Sequence, residues 1–528
     1  MLYQSSAGAL LCLELARQAQ VCADRPFLTQ GDRALSYSQA HRVVESLAAR
    51  LHRHGVAPGM RCILWMENGL DYALIWLALG RIGAVSVPLN QAYRGALLAH
   101  QVNDVQAGAV VTDAALWGRL AEQSDHFQTA FPLLFHGGRG DADSLPPDAI
   151  ELWPDEVDAP CELPYPDASA TLSIFYTSGT TGPSKGVLYT HAQAANTAAS
   201  VATHLATGDV FYMTNPMCHV GLPHCLGAVL QAGASLVIRP RFSASGFWPD
   251  VRRHGATVTM MLGSVASFLN AAAPSSDDHR HSLRKVLMVP VLKDAAHFCD
   301  RFGVSVMSWF NMTELSVPLD TGGFSTRPDG GCGRPRLGVS ARIVDRFDRE
   351  VPRGVAGELV IRDERPWTVS PGYFNLPEAT LSAWRNLWFH TGDSCIQDDS
   401  GAFFFVDRLK DCIRRRGENV SSYEVESQIL THPAVQEVAV IGVPSAEGEQ
   451  EVQAIVALRD GGRLDLPELL DYLFERLPPF ALPRYVDFVA GPLPKTETGK
   501  VRKNALREQY PQGRGDRDAM GYRLRKSS

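Results

Sequence analysis

Short runs of valine, isoleucine and leucine alternate with helix-patterned stretches between residues 35 and 115: Arg61-Cys-Ile-Leu-Trp, then Gly83-Ala-Val-Ser-Val-Pro-Leu, then Ala109-Val-Val-Thr. That alternation leaves few folds open, because it is the pattern of βαβ units on a mainly parallel sheet. A second round spans 171–240, where Leu172-Ser-Ile-Phe-Tyr reads as a buried strand and 190–203 as an alanine-rich helix. Past residue 330 the texture changes to short strands and turns, Ala341-Arg-Ile-Val-Asp, Gly357-Glu-Leu-Val-Ile-Arg and Gly401-Ala-Phe-Phe-Phe-Val-Asp, which predict a small β subdomain. Beyond Lys410 the expected order is helix over 422–430, strands over 437–442 and 453–458, and helix over 467–477. The expected fold class is α/β. A large N-terminal domain, 1–409, holds two βα-layered subdomains and the small β subdomain; a smaller, mobile α+β lid, 410–510, follows. Residues 511–528, rich in Gly and Arg, read as a polar, frayed tail.

Charge bounds what such a chain can bind. Fifty basic against fifty-seven acidic side chains leave a net charge of -7, which argues against a nucleic-acid partner. Ten cysteines are scattered through 528 residues without a C-x-x-C, so a reducing, cytoplasmic setting is expected. The apolar stretch 72–89 is broken by Arg81 and two glycines, too interrupted to cross a membrane. Glu14 and Arg17 likewise make the apolar start an amphipathic helix rather than a secretory signal. One stretch, Cys218-His219-Val-Gly-Leu-Pro-His224-Cys225, offers four metal-ligating side chains. Its spacing is too short for a structural zinc pair and Pro223 stops the histidines from being helix neighbours, so pocket lining or packing is expected.

The sharpest chemical signal is 176–186, Tyr-Thr-Ser-Gly-Thr-Thr-Gly-Pro-Ser-Lys-Gly, which follows the predicted strand at 172–176. Open α/β sheets place ligands at such carboxyl ends of strands. Glycines let backbone N–H groups approach an anion, hydroxyls add donors, and Lys185 adds a point charge. The P-loop of kinases and GTPases is excluded by the count: Ser184 stands where its second glycine belongs, and Lys185 is followed by Gly186.

Six stretches in order, the loop 176–186, Asn311-Met-Thr-Glu314, His390-Thr-Gly-Asp393, Val406-Asp-Arg408-Leu-Lys410-Asp, Arg416-Gly-Glu-Asn-Val and Pro494-Lys-Thr-Glu-Thr-Gly-Lys500, resemble the adenylate-forming superfamily of acyl-CoA synthetases, peptide-synthetase adenylation domains and beetle luciferases. The resemblance covers residues 35–503 and implies an AMP-forming acid–CoA ligase. Such an enzyme joins an acid to the α-phosphate of ATP with release of pyrophosphate, then passes the acyl group to the thiol of coenzyme A. It implies that Thr177, Ser178, Gly179, Thr180, Thr181, Gly182 and Lys185 grip the leaving pyrophosphate. Glu314 is then the Mg²⁺ ligand, Thr313 touches the α-phosphate, Phe310 stacks on adenine, and Asp393 and Arg408 hold the ribose. Lys500 bridges substrate carboxylate and α-phosphate, and with Glu314 and Thr181 makes up the implied catalytic set. Bringing two anions together needs positive groups, backbone donors and a divalent ion, and a cation that bridges phosphates wants only one or two carboxylates. Lys410 falls at the hinge about which the lid turns, and Arg416, Gly417 and Glu418 form the loop that admits the pantetheine thiol.

By the same resemblance His219, Val220 and Gly221 line the acyl tunnel, with His219 as its gate and Trp309 beside it. Asn311 stands where the family usually has glycine, which narrows the pocket and disfavours a long straight fatty acid. Leu287-Met-Val-Pro-Val-Leu-Lys replaces an expected Gly-Gly-Ala-Pro, so backbone contacts to adenine differ there. Residues 247–259, 405–408 and 416–421 are similar to the carnitine and crotonobetaine CoA ligase branch, in which a cationic acid would sit against Trp309. Two alternatives stay open: an adenylating enzyme that loads a carrier-protein pantetheine, and a non-catalytic adenylate-binding protein. The sequence specifies no oligomeric state.

Overall fold

A computed structural model of the chain describes residues 10–520 apart from 92–94, 123–132, 138–144, 154–158, 178–183, 293, 410, 412, 416–417, 446–449, 475, 478, 480, 497–498 and 512–514. Two compact units result. One comprises the described residues up to Thr177, Ser184–Ser340 and Ile361–Leu387; the other holds Ala341–Val360 and those from Trp388 on. The break expected at residue 410 falls inside the second unit, with which most of the small β sheet groups.

The first unit is built on two seven-stranded sheets, as the alternation predicts. One runs in the order Ser305–Met307, Lys285–Val289, Val258–Leu262, Val210–Met213, Ser235–Ile238, Pro26–Gln30 and Arg33–Ser36. The other runs Ile150–Glu151, Leu133–His136, Ala109–Thr112, Arg61–Trp65, Val85–Pro88, Thr171–Thr177 and Lys185–Thr190. Within each sheet the strands are parallel except for one antiparallel pair at an edge, Pro26–Gln30 with Arg33–Ser36 and Thr171–Thr177 with Lys185–Thr190. Strands such as Val85–Pro88 and Ala109–Thr112 are buried along their whole length, which is why they read as unbroken apolar runs rather than alternating ones.

The helices Tyr37–Arg53, Leu70–Ile82 and His191–Ala202 lie in one core with residues of both sheets, including Leu64 and Val111 from one and Phe211 and Leu236 from the other. Every residue of Leu70–Ile82 but Asp71 is buried for that reason, and the helix is apolar apart from Asp71 and Arg81. Outer helices cover the remaining faces, Ala244–His254 and Ala295–Phe302 on one sheet, Gly95–Val105 and Ala114–Ala121 on the other. Arg81, the charge that interrupts the apolar stretch 72–89, is 5% exposed and is fully engaged: it pairs with Glu45 at 2.8 Å and donates to the carbonyls of Leu163 and Cys161. A buried pair of this kind costs about 3 kcal/mol or more when one partner is deleted, because the other charge is stranded. Among the described residues no helix is long and apolar enough to cross a membrane.

The four-stranded sheet most of which falls in the second unit is ordered Val339–Val344, Gly357–Asp363, Phe389–Gln397 and Phe403–Arg408. A second four-stranded sheet, Val435–Pro444, Gln450–Leu458, Tyr485–Val489 and Gly515–Asp516, packs with the helices Ser422–Leu430 and Leu466–Phe474 around a core that includes Val440, Val456 and Leu470. The elements expected here are present, the helix 422–430 with the bounds expected and the others longer or shorter by a few positions at their ends. The tail departs from expectation. Gly515–Asp516 adds an edge strand antiparallel to Tyr485–Val489, and Arg517 behind it is 6% exposed. Arg484, within 3.6 Å of Asp516, Asp518 and Glu451, supplies the charge that draws this segment back onto the sheet.

Candidate active site

The strands on either side of the glycine- and hydroxyl-rich segment, Thr171–Thr177 and Lys185–Thr190, pair antiparallel. Thr177 ends one strand and faces Lys185, the first residue of the next. Ser178, Gly179, Thr180, Thr181 and Gly182 lie between them, outside the described residues. Gly186 must be glycine, since a Cβ there would stand 2.8 Å from the Ile174 side chain. Residues 370–374 are strapped to the returning strand: Leu188 N donates to Gly372 O at 3.0 Å and Phe374 N to Gly186 O at 2.7 Å.

Glu314 sits in the tight connection between the antiparallel strands Trp309–Met312 and Ser316–Asp320. Its backbone is fixed from two sides. The Gln193 amide donates to the carbonyls of Thr313 and Glu314 at 2.9 and 3.1 Å, and Ser370 N donates to Glu314 O at 2.7 Å. Its side chain, 7% exposed, accepts one hydrogen bond, from the Tyr373 hydroxyl to Oε1 at 2.8 Å. Among the described residues Oε2 receives none. The Tyr373 ring in turn lies 5.0 Å beneath the Lys185 ammonium. Thus Lys185, Thr313 and Glu314 are brought together, and Tyr373, Gln193 and Ser370, none of which the sequence singled out, do the holding. Phe310 is 6% exposed on the strand leading to Glu314; Asn311 and Thr313 are half-buried.

This donor set suits a divalent cation that takes most of its ligands from phosphate and water. One carboxylate has one oxygen braced and the other uncommitted, and among the described residues no group of three or more His, Cys, Asp or Glu side chains forms a protein cage.

Trp309 is 3% exposed and stacks on His224, ring centroids 5.5 Å apart and planes 12° from parallel. His224 lies in a short π-helical turn, Pro223–Gly227, and its Nδ1 is 2.6 Å from Val220 O. A carbonyl only accepts, so Nδ1 carries the proton and the neutral ring keeps Nε2 as an acceptor, which has no partner among the described residues. Burial pushes this histidine down to about 4. The metal look-alike is thus packing in part: Cys225 is fully buried, and burial drives its thiol pKa far up. His219, Val220 and Gly221 are half-buried just before the turn. The packing or pocket lining expected of this stretch holds for His224, whose contact with Trp309 no local pattern encodes.

In the second unit Asp393 and Arg408 face each other in register on neighbouring strands and form an ion pair at 2.6 Å. Asp393 is 2% exposed. The turn before it is braced throughout: His390 Nδ1 meets Glu358 Oε2 at 2.8 Å, Gly392 N donates to Glu358 Oε1, and Thr391 accepts from Asp393 N. Gly392 has φ +69, a left-handed conformation suited to glycine. Asp407 caps the helix Ser422–Leu430 by accepting from the Ser422 N and hydroxyl, so Arg408 is anchored next to a helix start. Lys410, Arg416 and Gly417 fall outside the described residues, and Glu418 begins the strand Glu418–Val420. Lys500 is exposed, on a turn closed by the Thr496 N to Lys500 O bond at 2.6 Å.

The chain matches the AMP-binding enzyme family over residues 15–374 and the AMP-binding enzyme C-terminal domain over 424–500. It is 32% identical over 496 residues to the crotonobetaine/carnitine–CoA ligase of Proteus mirabilis, covering 90% of this chain and 93% of that protein. Among solved structures it superposes on ATP-bound MatB from Rhodopseudomonas palustris with a TM-score of 0.80 and 28% identity, covering 96% of this chain and 99% of MatB. The fatty acyl CoA synthetase of Mycobacterium tuberculosis matches with a TM-score of 0.71 and 25% identity, covering 96% of this chain and 99% of that one. The chain belongs to the AMP-binding enzyme family and is an AMP-forming acid–thiol ligase.

Proposed function

We propose that the chain joins a compact, cationic carboxylic acid to coenzyme A in two half-reactions. In the first, a carboxylate oxygen of the acid attacks the α-phosphorus of ATP, forming acyl-adenylate as the bond to pyrophosphate breaks. In the second, the CoA thiol attacks the acyl carbon, loses its proton and expels AMP. Residues 177–182 and Lys185 hold the pyrophosphate, Asp393 and Arg408 the ribose, Phe310 the adenine, and Lys500 offsets the charge of carboxylate and α-phosphate as they meet. A Mg²⁺ ion held by Glu314, when bound, supplies the charge that neutralises the phosphates. The lid turns about Lys410 between the half-reactions, exchanging Lys500 for the loop of Arg416, Gly417 and Glu418. A cytoplasmic location fits ten cysteines scattered along the sequence without a C-x-x-C.

The single observation that carries this reading is the braced Glu314 carboxylate, with one oxygen uncommitted, at the end of the strand bearing Phe310. For the acid, the support is Trp309 with a neutral histidine on its face. A neutral ring does not repel a cation brought to the indole, and the Arg336 guanidinium is held by Asp320 at 3.6 Å. The Proteus relative is named for acids of this charge type.

Pyrophosphate release measured across a panel of acids, with CoA, with a carrier protein and with neither acceptor, tests the assignment. A trimethylammonium acid should exceed its neutral tert-butyl isostere about tenfold in kcat/KM, as one cation–π contact would give. Equal values remove the cationic reading, and acyl transfer that needs a carrier protein instead of CoA replaces the acceptor.

A further inference from the structure

Lys185 and Glu314 carry opposite charges, yet among the described residues they form no ion pair with each other, and what stands between them is one side chain. We propose that Tyr373 is a positioning residue that keeps these two groups apart and aimed at different parts of one phosphate-and-metal assembly. Its hydroxyl holds Glu314 Oε1 and leaves Oε2 for a divalent cation, while its ring face holds the Lys185 ammonium.

The proposal rests on reading Glu314 as the metal ligand and Lys185 as the phosphate ligand. Tyr373 is suited to the task because its backbone is fixed to both partners. It bridges to Val187, two residues beyond Lys185, and its own N–H donates to Thr380 Oγ1 at 2.9 Å. Its neighbours Gly372 and Phe374 bond to the same strand, and Ser370 bonds to the Glu314 carbonyl. Gly372, at φ +149, tolerates no side chain, since a Cβ would stand 2.6 Å from Thr380 Cγ2; the segment is locked in this path. A phenol can donate one hydrogen bond and present a π face at the same time, which aliphatic and charged side chains cannot. Without it, the lysine and the glutamate are free to neutralise one another, and each is then withdrawn from phosphate and metal. Groups that orient a metal ligand commonly contribute 10- to 100-fold to metal affinity.

Binding of Mn²⁺ to the protein with a non-hydrolysable ATP analogue, followed by electron paramagnetic resonance, tests this without turnover. Tyr373→Phe keeps the ring and loses the donor; it should raise the Mn²⁺ Kd about tenfold and leave the Kd of the metal-free analogue within twofold. Tyr373→Leu loses both contacts and should weaken the metal-free analogue as well. In a Glu314→Gln background the Tyr373→Phe effect should vanish, because it acts through that carboxylate. An unchanged Mn²⁺ Kd in Tyr373→Phe while Glu314→Gln weakens it overturns the role of Tyr373 and leaves Glu314 as the ligand. Additive losses in the double variant, the mark of a merely structural tyrosine, also overturn it. A Glu314→Gln protein that binds Mn²⁺ as well as the parent overturns the ligand assignment, and the proposal with it. Should Tyr373→Leu fail to fold, Tyr373→Phe decides.

Discussion

Glu314 and Lys500 lie at opposite extremes of preparation. The glutamate is 7% exposed and is fixed by Gln193, Ser370 and Tyr373 before any nucleotide arrives. The lysine stands exposed on a turn whose preceding residue, Gly499, has φ +78. On the proposed roles, a group that holds the nucleotide benefits from being rigid, since its ordering cost is met at folding, whereas a group that acts in only one half-reaction benefits from an exposed, accessible position. The fixed half should therefore be sensitive to core changes, and the exposed half to changes in a single step.

The largest expected effect separates the two half-reactions. Lys500→Ala should slow acyl-adenylate formation about a thousandfold, while thioester formation from added acyl-adenylate stays within a fewfold and the melting temperature does not move. Equal loss in both steps breaks the contrast. Next in size, Glu45→Ala strands the buried Arg81 and should cost about 3 kcal/mol in denaturant unfolding of the first unit, with kcat of the folded protein unchanged. A loss under about 1 kcal/mol would mean that Arg81 finds water, and that this core is less dry than its packing indicates.

The smallest effect is a pH dependence. His191 and His224 are both held by burial at about 4, below the usual 6.5. Each is neutral in the fold and binds a proton more readily when unfolded. Their contribution is complete above pH 6.5 and is lost as pH falls towards 4. Between pH 6 and 5 the two together should remove about 2 kcal/mol from the first unit, and His191→Gln should halve that slope. Flat stability over this range would show that these rings are hydrated.

Much of this was legible because it is local. Apolar runs such as Ala109–Thr112 mark strands buried on both faces, and the alanine-rich stretch 190–203 marks the helix His191–Ala202. The resemblance names Asp393 and Arg408 each as a ribose ligand, and their pairing with one another, fifteen positions apart, comes from the strand register alone. Long-range braces were not legible. Tyr373 reaches Glu314 across 59 residues and Gln193 across 121, and neither periodicity nor spacing encodes such a contact. The fold-back of 515–517 escaped notice because two strand residues have no pattern, and the arginine that attracts them, Arg484, is thirty positions upstream. The stretch Cys218 to Cys225 reads as packing or pocket lining and His224 is packing, but the stacking of its neutral ring on Trp309, far along the chain, has no local signal.

The most direct test of a two-step, AMP-forming ligase is a single turnover without the thiol. Protein in excess over ATP, with Mg²⁺ and a trimethylammonium acid, is quenched and its products are weighed by mass spectrometry before and after CoA is added. Acyl-adenylate and pyrophosphate in equal amounts, converted to acyl-CoA and AMP once CoA arrives, is the predicted result. ADP and phosphate, or no product until CoA is present, would contradict it.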